Sequence, residues 1–138
     1  MSYWDKPGVS FDELKGKTLV GITKTDDTMT LKASDGSEYE MYHSQDCCES
    51  VYIESIVGDL DDLIGEPILV AEEVTHADRN PEGVMVPEYQ DSFTWTFYKL
   101  ATRKGYVDIR WYGESNGYYS ERVEIVRTVE PTTDKEQA

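Results

Sequence analysis

The sequence predicts a mostly β, α+β domain: an antiparallel, strongly bent sheet or open barrel with one or two short helices. Three observations lead there. Apolar and polar residues alternate with a period of two in several runs, which is the pattern of half-buried strands. Turn signals rich in Gly, Asp and Asn separate those runs. Ten Tyr, three Trp and three Phe in 138 residues are a large share of side chains that favour strands. A chain of this length suits one domain with its own core, expected over 1–129, followed by a polar, disordered tail at 130–138.

Taken in order, Phe11-Asp12-Glu13-Leu14 reads as one helical turn after a Ser10 cap, ended by Gly16. Lys17 to Lys24 is the first strand; the chain turns at Asp26-Asp27 and returns through Met29, Leu31 and Ala33. Asp35-Gly36 closes the next hairpin, and Glu38 to His43 is the third strand, with Tyr39, Met41 and His43 on one face and Glu38, Glu40 and Tyr42 on the other. Val51 to Val57 is the fourth. Asp59 caps a short helix, Asp61 and Asp62 occupy its first turn where the dipole favours negative charge, and Gly65 stops it. Pro67 begins a fifth strand through Ala71, and His76 to Asp91 is a long connection of the kind that is usually mobile or functional.

From Asp91 to Val129 the pattern predicts a three-stranded antiparallel meander. Phe93, Trp95 and Phe97 share one face of its first strand, Val107, Ile109 and Trp111 one face of its second, and Glu121, Val123 and Ile125 alternate through its third. Turns are expected at Arg103-Lys104-Gly105 and from Gly113 to Gly117, and Trp95, Phe97, Ile109, Trp111 and Ile125 are the expected buried set.

Net charge is −15, and its distribution is uneven. Between Ala33 and Asp78 there is no Lys or Arg, while thirteen Asp and Glu fall there, leaving 15 acids against 13 bases in the rest of the chain. The bland explanation is solubility. The sharper one is an acidic face for a basic partner, with Glu38, Glu40, Glu54, Asp59, Asp61, Asp62, Glu72 and Glu73 as its exposed members. Direct nucleic-acid binding is disfavoured, because phosphates need basic residues. No apolar run approaches the roughly 20 residues that span a bilayer, and the Met1 segment lacks the basic start and apolar core of a signal peptide. A cytoplasmic protein is expected, with no membrane partner and no cofactor.

The densest group of reactive side chains is His43-Ser44-Gln45-Asp46-Cys47-Cys48-Glu49. Zinc is conceivable from His43, Cys47 and His76, but adjacent cysteines serve one tetrahedral ion badly and no second ligand pair is evident, so no metal is expected. A Cys47 or Cys48 nucleophile beside His43 is opposed by Asp46 and Glu49, whose negative charge works against a thiolate. No catalytic residue is assigned. Reduced thiols that are not joined to each other, at least one filling the core, are the expectation. Gly-rich phosphate loops are absent from the sequence.

Tyr42-His43-x-x-Asp46-Cys47-Cys48-Glu49-x-Val51, followed by Gly58-Asp59-Leu60-x-Asp62-Leu63-Ile64-Gly65 and Pro67-Ile68, resembles a family of small uncharacterised domains from bacteriophage and bacterial genomes. The resemblance runs from about Leu14 to Val126. It implies an origin and no mechanism, and for a viral origin the expected location is the host cell cytoplasm. Together with the charge it leads to the expectation of a small phage-type interaction protein, an inhibitor of a host defence or nucleic-acid-binding protein that acts by covering a basic surface. The alternative is a small-molecule or metal-binding domain centred on His43 to Glu49.

Overall fold

The alternating runs become eight antiparallel strands among the residues that the computed structural model describes, namely 8–45, 48–84, 86, 90, 92–117 and 120–131. They are β1 (Leu19–Lys24), β2 (Thr28–Ala33), β3 (Glu38–Tyr42), β4 (Ser50–Val57), β5 (Val70–Ala77), β6 (Ser92–Thr102), β7 (Gly105–Ser115) and β8 (Glu124–Val129). Both expected helices are single 3-10 turns, Phe11–Leu14 and Leu60–Leu63. One sheet has the order β1-β2-β3-β8 and the other β4-β7-β6-β5. They do not close into a barrel. Leu19, Met29, Leu31, Tyr39 and Met41 from the first sheet and Tyr98, Leu100, Val107, Ile109 and Trp111 from the second meet in one shared core, with Phe11, Leu14 and Leu63 from the 3-10 turns. Most of the expected tail, 132–138, lies outside the described residues.

The meander is corrected in its third strand. β6 and β7 pair along their whole length through a two-residue Arg103-Lys104 turn, as the sequence predicts. The chain then leaves for the other sheet, where β8 pairs with β3 at Met41↔Ile125 and Tyr39↔Arg127. The reason is that β7 has no free edge to offer. β6 holds one side of it and β4 the other, at Tyr52↔Tyr112 and Ile53↔Trp111.

The face of β6 is corrected as well. Pairing of Thr96 with Trp111, Tyr98 with Ile109 and Leu100 with Val107 puts Thr96, Tyr98 and Leu100 toward the core, so Phe93, Trp95 and Phe97 project outward. A one-residue change of phase moves every side chain to the opposite face. Trp95 is nevertheless 1% exposed, because Tyr112 packs on it at 4.6 Å and Arg110 covers its ring at 5.5 Å. Its Nε1 donates to Asn80 Oδ1 at 2.9 Å. Phe97 is only half-buried. The fifth strand also begins later than expected, at Val70, since Ile68 is spent on bonding its N–H to the Lys17 carbonyl.

Candidate functional site

The segment that carries the chain from β7 to β8 is the centre of the polar architecture. Gly113, inside β7 and not at a turn as expected, lets it in: a Cβ there would lie 2.9 Å from the Glu121 carbonyl and 3.0 Å from the Glu121 Cβ. Glu121 then sits against the inner side of the second sheet. Its carboxylate accepts from Thr94 Oγ1 at 2.7 Å and Ser115 Oγ at 2.6 Å. Val123 follows into the core.

The motif at His43 to Glu49 holds this segment from the other side. His43 Nδ1 donates to the carbonyl of Arg122 at 2.6 Å, and Nε2 faces Glu49 Oε2 at 2.7 Å. A carbonyl only accepts, so Nδ1 carries a hydrogen, while Nε2 and the Glu49 carboxyl oxygen stand at hydrogen-bond distance. The two side chains are 3% and 0% exposed. Gln45 Nε2 adds a bond to the Glu49 carbonyl at 2.6 Å. The motif therefore fastens the end of β3, the start of β4 and the crossing segment together.

Against the expectation of free thiols, Cys48 is in a disulfide. The sequence has one other cysteine, Cys47, which with Asp46 lies outside the described residues. A disulfide sulfur is not a thiolate, so Cys48 in this state is no nucleophile. His76 is on β5 and packs edge-on to Phe97 at 5.8 Å, with its Nδ1 accepting from Arg79. Among the described residues no group of three or more His, Cys, Asp or Glu is placed to hold a metal ion.

Between the crossing segment and strands β5 and β6 of the second sheet lies a cleft of about 220 Å³, lined by Glu73 and Thr75 of β5, Thr94 and Thr96 of β6, and residues 120–123. Glu73 accepts from Tyr98 OH at 3.0 Å. Burial first, and then the neighbouring Glu73 carboxylate, push the Tyr98 phenol far above its ordinary range, with Arg122 acting in the opposite sense.

The acidic residues singled out in the sequence are distributed over both sheets. Glu38 and Glu40 are half-buried on β3, with Glu38 opposite Lys32. Glu54 lies beside a register shift in β4 and pairs with Arg110 at 2.7 Å. Asp59 caps the Leu60–Leu63 turn by accepting from Asp61 N at 3.0 Å. Asp59 and Asp61 are exposed, and Asp62 is half-buried with its carbonyl bonded by Thr102. Glu72 and Glu73 are exposed neighbours on β5 and project to opposite faces of it. Part of the missing positive charge of the acidic window is supplied by distant residues: Lys17 reaches Asp35 at 2.6 Å and Arg103 reaches Glu66 at 3.3 Å. Sequence reasoning passed over Thr94, Glu121 and Arg122 as members of a site; the glycine within β7 was the available signal of a close approach.

Two antiparallel sheets around a shared core, fastened by a buried His–Glu pair, define a small all-antiparallel β domain. The chain belongs to the DUF7448 family, a domain of unknown function, whose family model matches residues 12–125. None of the curated proteins and none of the solved structures compared with it matches. No helix among the described residues is long and apolar enough to cross a membrane.

Proposed function

We propose that this protein is a small, phage-type acidic interaction protein that covers the basic surface of a host or viral protein, one that normally holds nucleic acid, and so inhibits host defence. The observation that carries the reading is a groove of about 390 Å³ between the Phe11–Leu14 turn and β5. Asp12, Glu72 and Glu73 line it, and no Lys or Arg does. β5 is an edge strand of its sheet. A net charge of −15 adds a long-range field that speeds encounter with a basic partner and weakens with salt. The alternative site centred on His43 to Glu49 has less support, since those two side chains bond each other and the Arg122 carbonyl and have almost no exposed surface.

The test is partner capture from the native host, followed by affinity measured against the captured protein across a salt series. Asp12→Asn with Glu72→Gln should weaken binding about tenfold and flatten its salt dependence. Asp59→Asn, Asp61→Asn and Asp62→Asn together test the other end of the domain separately. Unchanged affinity and salt dependence in both variants would remove acidic docking as the function.

A further inference from the structure

The cleft between the crossing segment and strands β5 and β6 brings charges of both signs together, unlike the wholly acidic groove with which it shares Glu73. Its walls are Glu73 on one side and Glu121 on the other, with Arg122 at the same opening. Glu121 is fixed by two hydroxyl donors and Glu73 by one, so both carboxylates are held in place while each keeps further capacity to accept. Arg122 makes no ion pair with any described residue. Thr96, only 3% exposed, also lines the cleft, and no described residue takes its hydroxyl. That oxygen is not one of the fully enclosed polar atoms lacking a partner, so what surface it keeps faces the cleft, where it is open to a group that arrives from outside.

We propose that this cleft binds a small zwitterion of the α-amino acid class. The ammonium supplies three donors, which match the Glu73 carboxylate, the Glu121 carboxylate and the Thr96 hydroxyl; the ligand carboxylate pairs with the Arg122 guanidinium. A volume of about 220 Å³ lies below the usual size of a drug-like pocket and limits the ligand to a short side chain. The His43–Glu49 pair acts here as a positioning element: by holding the Arg122 carbonyl it sets where the guanidinium starts.

Calorimetric titration of the full chain with glycine, L-alanine and L-serine, and in parallel with ethanolamine and propionate, tests this. Binding of at least one amino acid at millimolar concentration is expected, with ethanolamine and propionate each about tenfold weaker because each lacks one of the two charges. Arg122→Gln should weaken amino acid binding about tenfold and leave ethanolamine unchanged. Thr96→Val should weaken amino acid binding severalfold and Thr96→Ser should restore it, while circular dichroism verifies that each variant is folded. No binding of any amino acid, equal binding of ethanolamine, or an Arg122→Gln variant that binds like the parent would overturn the proposal.

Discussion

His43 and Glu49 form a pair 2.7 Å apart with side-chain exposures of 3% and 0%. They come from the end of one sheet and the approach to the other, and the second nitrogen of the same ring bonds the Arg122 carbonyl. Removing one member of such a pair strands the other without water, so His43→Ala or Glu49→Ala should cost about 3–5 kcal/mol in urea unfolding. The double variant should cost less than the sum of the two. Additive losses would mean that the pair is not coupled.

Gly113→Ala should destabilise by about 1–3 kcal/mol, since the new methyl meets the Glu121 backbone at 2.9 Å and backbone cannot yield as a flexible side chain can. A stability equal to the parent would show that the crossing segment does not rest there. The same variant should weaken any ligand of the adjoining cleft.

Stability should fall on acidification from about pH 4.5 to about pH 2. Burial alone would raise the Asp35 carboxyl, but the Lys17 ammonium at 2.6 Å and the donors of Ser37 hold it at about 2. Glu13 is lowered too: burial opposes it, and hydrogen bonds from Tyr39 and Arg127 prevail. A carboxyl lowered by folding stabilises the native state above its unfolded value and loses that contribution as pH drops toward the folded one. The pairs are partly solvated, so Lys17→Met should remove about 1 kcal/mol at neutral pH. It should also make the acid limb shallower, read from urea midpoints across pH.

Trp111→Ala should cost about 3–5 kcal/mol, because Trp111 is 1% exposed on the core face of β7. Phe97→Ala should cost about half as much, from a half-buried place on the outer face of β6. Equal losses would contradict the register Thr96↔Trp111.

With Cys48 in a disulfide, protein denatured without reductant should give no reaction with Ellman's reagent. After reduction it should release two thiols per chain, the number of cysteines in the sequence. Thiols titrating before reduction would restore the expectation of free cysteines.

Apart from β5, which starts at Val70 and runs on to Ala77, the sequence made the strands legible, because alternation, Asp35-Gly36 and Arg103-Lys104-Gly105 are local signals and local geometry answers them. It also determined the excess of negative charge and its confinement to one window. Which sheet β8 joins, which face of β6 is buried, and that His43 meets Glu49 through one ring nitrogen and the Arg122 carbonyl through the other were set by long-range packing. Those depend on which strand edges remain free and on register. With aromatic residues on both faces of β6, periodicity alone could not choose between Trp95 and Tyr98 as the inward side chain.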